Sequence, residues 1–329
     1  MTDSPAGLNL STFTAWMDEQ LPGVRQAPLI AERLSGGRSN LTYLLTDGHS
    51  RWVLRRPPLG HVLPSAHDMN REYRVTSALA RTPVPVPEPL AFCNTEEVLG
   101  APFYLMRYVE GQVLDEENLP ATMTREQVER AYDLFVDALT LIHRVKPEQV
   151  GLGDLGRPEG FLQRQVKRWL SQWEASETRP LPDVQITVDL LLSDMPDQSA
   201  ATIVHGDYRI GNVLFSPAFE TVAAVVDWEM ATLGDPLCDL GMLVAYREQS
   251  SDARVPDTAR LTHRYAAALG VDISGLGWYI GLANFKLAVI CEGIHHRYLG
   301  GQTVGEGFEH FGETVPVLLA SAVRALDRK

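Results

Sequence analysis

The residues best suited to chemistry gather in one short segment, His205-Gly206-Asp207-Tyr208-Arg209-Ile210-Gly211-Asn212. It lies between two β-branched runs, Thr202 to Val204 and Thr221 to Val226, and the second run ends at Asp227-Trp228-Glu229. The pattern is HxDxxxxN, followed about twenty residues later by a carboxylate at a strand end. These types at this spacing suit phosphoryl transfer. One carboxylate orients and deprotonates an acceptor hydroxyl, while a second carboxylate and a carboxamide oxygen hold Mg²⁺ against the phosphates. Hard oxygen ligands fit that ion. On this reading Asp207 is the base, Asn212 and Asp227 are the metal ligands, and Arg209 would meet the transferred phosphate.

Other polar residues read as support. His205 is either a packing and hydrogen-bonding prop for the loop or a proton carrier. Asp235 and Asp239 would hold loops through backbone N–H groups. His143, near a helix end, packs or caps. His295 and His296 are sequence neighbours on a helix and point about 100° apart, so they do not form a chelating pair. Trp169 and Trp173 share one helical face, either as core or as a wall of an acceptor pocket.

The elements that must position these residues fall into two regimes. Ser11 reads as the cap of a helix over 12–21, closed by Pro22-Gly23. Strand-like segments follow at 31–34, 41–45 and 52–56, the last two flanking a hairpin signal at Asp47-Gly48-His49-Ser50. A helix is expected over 67–80. The proline-rich stretch 83–89 cannot be helix, and strands are expected at 90–93 and 102–109. After Gly111 the pattern changes. Thr124 and Gln127 form a capping box. Val128, Ala131, Phe135, Ala138, Leu139 and Ile142 then mark one face of a long helix. Further helices are expected near 161–173, 188–195, 258–269, 278–298 and 308–326. The inferred fold class is α+β, with a small antiparallel-sheet lobe over residues 1–109 and a larger, mainly helical lobe over 110–329.

Composition bounds the function. The chain has 329 residues, 45% hydrophobic and 22% charged, with a mean hydropathy of -0.10, which is ordinary for a globular protein and unlike a disordered one. Its 29 basic and 42 acidic residues leave a formal charge of -13, so nucleic acid is not an expected partner. No apolar run approaches the roughly 20 residues that span a bilayer, so no membrane partner is expected. Residues 1–10 show no secretory pattern, and the expected location is the cytoplasm. Cys93, Cys238 and Cys291 are few, odd in number and far apart, which argues against a disulfide framework or a zinc site.

At the 205–212 and 225–240 segments the chain resembles the aminoglycoside phosphotransferase family and, more distantly, the protein kinases. Val225-Val226-Asp227-Trp228-Glu229 and then Gly234-Asp235-Pro236-Leu237-Cys238-Asp239-Leu240 are similar to that family's metal-binding segment and following loop. Val53-Leu54-Arg55-Arg56-Pro57-Pro58, Leu63-Pro64-Ser65-Ala66-His67 and Arg71-Glu72-Tyr73-Arg74-Val75 resemble a narrower branch. That branch contains the kinase-like domain fused to some animal acyl-CoA dehydrogenases. The resemblance covers roughly residues 30–300.

It implies a bilobal protein-kinase-like fold with MgATP bound between the lobes. Ser35 to Asn40 matches the glycine-bearing phosphate loop, with Gly36, Gly37, Ser39 and Asn40 toward the nucleotide; read alone, Gly-Gly is a plain turn. Arg55 matches the strand residue on the α/β-phosphates, with Arg56 the alternative because one residue of register exchanges the faces. Glu72 matches its ion-pair partner. Leu105 to Gly111 matches the hinge, where the Arg107 carbonyl and the Val109 N–H would face adenine; read alone, it is an edge strand entering a turn. An arginine at the strand position departs from the usual kinase lysine, and it is a flatter, bidentate cation. Arg209 stands where drug-modifying members often carry His, so the resemblance does not imply drug resistance. The implied activity is ATP- and Mg²⁺-dependent transfer to a small-molecule hydroxyl. The branch points to a hydroxyacyl-CoA-like acceptor, and the family name points to an aminoglycoside. A catalytically silent nucleotide-binding module is the reading from another class.

Overall fold

The structure is a computed structural model that describes residues 5–34, 40–59, 68–116, 118–303 and 307–327. In chain order the regular elements are α1 (Leu10–Gln20), β1 (Ile30–Arg33), β2 (Leu41–Thr46), β3 (Arg51–Arg56), α2 (Met69–Leu79), β4 (Pro89–Cys93), β5 (Phe103–Arg107) and β6 (Gln112–Val113). There follow α3 (Arg125–Arg144), α4 (Phe161–Ser176), α5 (Asp183–Ser193), β7 (Thr202–Val204), β8 (Val213–Phe215), β9 (Val222–Val225) and β10 (Thr232–Gly234). The chain ends in α6 (Leu237–Gln249), α7 (Thr258–Leu269), α8 (Leu276–Leu299) and α9 (Phe311–Leu326). The chain divides into two compact units. The first comprises residues 1–113 and 212–231, and the second 114–211 and 232–329.

The first unit is built on an antiparallel sheet of order β1-β2-β3-β5-β4. Strand alternation decides which side chain serves which face. Trp52 and Leu54 of β3 join Phe13 and Met17 of α1 in one core. Val53, one residue out of phase, packs with Tyr104, Met106 and Met69 of α2 on the opposite face. Arg55 shares that second face. A smaller sheet, β6-β8-β9, completes the unit.

The second unit is mainly helical. The capping box at Thr124 and Gln127 is present, and it starts α3. The buried face of α3 carries Val128, Ala131, Phe135, Ala138, Leu139 and Ile142, as the periodicity requires. Helices α6 and α8 pack closely: a Cβ added at Gly241 would lie 2.6 Å from the Tyr279 carbonyl oxygen, so only glycine permits this approach. Two short antiparallel strands, β7 and β10, form a ladder from Thr202↔Gly234 to Val204↔Thr232.

Three local expectations need correction. Helix α1 is capped by Asn9, whose side chain accepts from the Thr12 N–H, and not by Ser11. Asn9 wins because its carboxamide reaches the orphan N–H of the first turn. Helix α5 begins at Asp183, five residues before the expected start, and ends at Ser193. The stretch after Pro236, read as loop, is helix α6. Its buried run from Leu237 to Ala245 carries apolar residues on all sides and so gives no amphipathic period.

Candidate active site

In the first unit Arg55 lies opposite Tyr104 in the β3–β5 register. Its guanidinium is 2.9 Å from Glu72 Oε1 and 2.9 Å from Asp227 Oδ1. Glu72 stands in the first turn of α2, a helix fixed by Asp68, which accepts from the Arg71 N–H. The Glu72 side chain is buried. Burial pushes its carboxyl up, to about 7; the Arg55 charge opposes this, while Asp227 and Glu229 add to it. Burial also works against the Arg55 charge, but Glu72, Tyr104 and Asp227 more than restore it. Arg56 turns to the other face and donates to the Gly7 and Leu99 carbonyls. The alternation of β3 thus assigns Arg55, not Arg56, to the face of Glu72 and Asp227.

The β8–β9 hairpin brings Asn212 and Asp227 together. Val213 pairs with Val225, and the Val226 N–H donates to the Asn212 carbonyl at 2.9 Å. The two residues therefore flank one end of the same hairpin. Asp227 has φ of +70°, a left-handed conformation that is uncommon outside glycine. Asn40 is buried, and its amide donates to Glu229 Oε2 at 3.0 Å. Arg107 closes β5 and is ion-paired with Glu88. Val109 follows two residues later, after Tyr108, whose N–H donates to the Arg51 carbonyl. Gly36, Gly37 and Ser39 lie outside the described residues, as does the 63–67 segment.

Asn212 and Asp227 offer hard oxygens, which are the donors Mg²⁺ takes. Among the described residues no group of three or more His, Cys, Asp or Glu could hold a metal.

In the second unit β7 runs into the loop at His205. Gly206 has φ of +84°, and both its N–H and that of His205 donate to Asp239, at 2.9 and 2.6 Å. Asp239 is buried in α6 and lies 3.2 Å from His143 Nε2; the other ring nitrogen of His143 is 2.6 Å from the Tyr265 hydroxyl. Burial pushes the Asp239 carboxyl up, but His143 and the His205 N–H outweigh it and hold the group below its ordinary value. His205 is buried, and its Nδ1 accepts from the Asp207 N–H at 3.3 Å, which is a propping geometry. Tyr208 stacks on Phe135 at 4.6 Å and donates to the Phe135 carbonyl. Asp235 accepts from the Ser199 and Leu237 N–H groups. Both aspartates thus hold backbone, as their setting in the sequence suggested. Trp169 and Trp173 are both buried.

Asp207 itself accepts from the Tyr246 hydroxyl at 3.2 Å. Arg209 pairs with Glu116 at 2.7 Å, and its guanidinium lies over the Tyr246 ring at 5.0 Å. Glu116 also accepts from the Ile210 N–H at 3.0 Å. Sequence reasoning missed Glu116, Tyr246 and Lys286, the last of which donates to the Gly206 carbonyl. For Tyr246 a signal existed. It follows Asp239 by seven residues, two helical turns, and so shares its face of α6.

The phosphotransferase enzyme family model matches residues 30–279. Acyl-CoA dehydrogenase family member 11 of Gallus gallus is 33% identical over 91% of the chain. The chain spans 41% of that relative's length. A solved Ralstonia eutropha protein, provisionally described as an aminoglycoside phosphotransferase, is 32% identical with a TM-score of 0.84, covering 97% of this chain and 98% of that one. A thermostable mutant of aminoglycoside phosphotransferase APH(4)-Ia, solved with AMP-PNP and hygromycin B, shares the fold at 17% identity and a TM-score of 0.67, covering 97% of this chain and all of that one. Among the described residues no helix is long and apolar enough to cross a membrane. With a sheet-based first unit, a helical second unit and a model match over most of its length, the chain belongs to the phosphotransferase enzyme family and has its kinase-like fold.

Proposed function

We propose that this chain transfers the γ-phosphoryl group of MgATP to the hydroxyl of a small molecule, and that the acceptor is a hydroxyacyl-CoA-like metabolite. The observation that carries the reading is the Arg55 ion pair with both Glu72 and Asp227. It joins a phosphate-binding cation to a metal-binding carboxylate, the two tasks a nucleotide triphosphate demands. Residues 1–109 would carry the nucleotide functions and residues 110–329 the catalytic and acceptor functions. Arg55 binds the α/β-phosphates, and Glu72 orients it. Asn40, Gly36, Gly37 and Ser39 would meet the phosphates, and the backbone of Arg107 and Val109 would take adenine. Asn212 and Asp227 would hold Mg²⁺, which when bound screens charge on the phosphates.

Asp207 accepts the proton of the acceptor hydroxyl as its oxygen bonds to the γ-phosphorus and the bond to the ADP oxygen breaks. Arg209, held by Glu116, faces the transferred group. The acyl-CoA acceptor draws support from the acyl-CoA dehydrogenase family relatives. A cationic aminoglycoside draws support from the hygromycin B complex of the APH(4)-Ia neighbour and from the charge of -13. We place the reaction in the cytoplasm.

The test is a thermal-shift titration with MgATP, followed by ADP release in the presence of hydroxyacyl-CoAs and of aminoglycosides. Stabilisation by MgATP with release stimulated by a hydroxyacyl-CoA is expected. Stimulation by aminoglycosides alone would replace the acceptor, and stabilisation without turnover on any acceptor would make the chain a silent nucleotide-binding module.

A further inference from the structure

Lys286 lies in the middle of α8 in a mostly apolar stretch, where the one other polar side chain, Asn284, donates to the Ile280 carbonyl of its own helix. Leu282, Ala283, Phe285, Leu287, Ala288 and Val289 are buried around it, and Lys286 is itself buried. Its ammonium donates to the Gly206 carbonyl oxygen and lies 5.3 Å from the centre of the Trp169 ring. Gly206 immediately precedes Asp207 and holds a backbone conformation that only glycine adopts easily. Its carbonyl shares a peptide plane with the Asp207 N–H, so holding that oxygen sets the orientation of the peptide that leads into Asp207.

The groups acting on this ammonium come from three other elements. Asp207 of the loop and Asp239 of α6 attract it, Arg168 of α4 repels it, and the Cys238 thiol of α6 lies nearby. Burial pulls the ammonium below its ordinary range, and the two carboxylates draw it back. Packing does not account for a lysine here. Removing an ammonium from water is costly even after relaxation. A methionine of similar length would fill the same space without that cost. What it would not do is hold the carbonyl beside Asp207.

We propose that Lys286 is a positioning residue for phosphoryl transfer, its ammonium fixing the Gly206–Asp207 peptide so that the Asp207 carboxylate meets the acceptor in one orientation. The proposal rests on the reading of Asp207 as the base. Tyr246 completes the clamp, since its hydroxyl donates to the Asp207 side chain while Lys286 holds the backbone behind it.

ADP release from MgATP, in water and with the hydroxyacyl-CoA panel, would be compared for wild type, Lys286→Met, Lys286→Arg and Asp207→Asn, each with its thermal midpoint. Misplacement of a reacting group by about 1 Å costs up to ~10²-fold. Lys286→Met should therefore lose ~10–100-fold in kcat with KM for ATP nearly unchanged, and Lys286→Arg, which keeps charge and donors, should recover much of the loss. A Lys286→Met enzyme with unchanged kcat beside an inactive Asp207→Asn overturns the proposal. So does a loss that follows only the folded fraction and that arginine does not rescue. Full activity in Asp207→Asn would instead overturn the base assignment, a separate outcome. The carbonyl ¹³C resonance of Gly206 needs no turnover: it should move in Lys286→Met, and an unmoved resonance refutes the contact.

Discussion

Replacing Glu116 with Ala removes one buried carboxylate that serves the Arg209 guanidinium and the Ile210 and Gly211 N–H groups. Its side chain is 5% exposed, and it accepts from the buried Ile210 N–H at 3.0 Å while pairing with Arg209 at 2.7 Å. Losing the acceptor leaves the Ile210 N–H without its partner, which costs about 1–3 kcal/mol. Breaking a fully buried ion pair costs ~3–5 kcal/mol. Arg209 is 36% exposed, however, so water takes over much of its charge, and about 1 kcal/mol is the fitting share. The total is about 3 kcal/mol, or a fall of roughly 6–12 °C in the thermal midpoint for a domain of some 200 residues. Glu116→Gln keeps a neutral acceptor for Ile210 and should lose about half as much. Differential scanning calorimetry of the three proteins, with ADP release measured on each, reads both stability and loop geometry. An alanine variant within about 1 °C of wild type, with unchanged turnover, would refute the claim that Glu116 organises the loop after Asp207.

Other consequences follow from single residues. Asp227→Gly should be more stable than Asp227→Ala by about 1 kcal/mol in chemical unfolding, because both lose the carboxylate but only glycine relieves the left-handed backbone; equal stabilities would contradict that strain. Arg55→Met should weaken MgATP binding at least tenfold by calorimetry, whereas Arg56→Met should chiefly lower the thermal midpoint, since Arg56 holds the Gly7 and Leu99 carbonyls; a reversed pattern would refute the strand-face assignment. The folded-state pKa of Asp239 is depressed, so its contribution to stability is present above its ordinary value of 3.8 and is lost as pH falls through the lower folded value. Acid unfolding below about pH 4 should accordingly be shallower in Asp239→Asn, and superimposable acid limbs would count against the His143–Asp239 pair.

The parts of the site legible in the sequence are those whose chemistry is local. Asp207, Asn212 and Asp227 are singled out as candidates by type and spacing, and the β8–β9 hairpin brings the last two to one end. The buried strands and the capped helix α3 follow from short-range patterning. What sequence could not give is whatever depends on the opposite wall. Whether Arg55 or Arg56 faces Glu72 is a matter of one residue of register, settled only when β3 is paired on both sides. Lys286 reaches Gly206 across 80 positions from an apolar helix, where a lone lysine reads as a surface residue. Glu116 has no periodic neighbour to mark it as buried. Helix α6 escaped because its buried run, Asp239 apart, carries apolar residues all round, which removes the period that identifies a helix.

The central claim is that Asp207 serves the chemical step while Asn212 and Asp227 serve the nucleotide-bound metal. Calorimetric MgATP affinity and acceptor-stimulated ADP release, measured together on Asp207→Asn and Asp227→Asn, address it most directly. Asp207→Asn should retain MgATP affinity and lose ~10²–10⁴-fold in turnover, while Asp227→Asn should lose affinity for the magnesium complex as well. Turnover surviving in Asp207→Asn, or undiminished MgATP binding in Asp227→Asn, would contradict it.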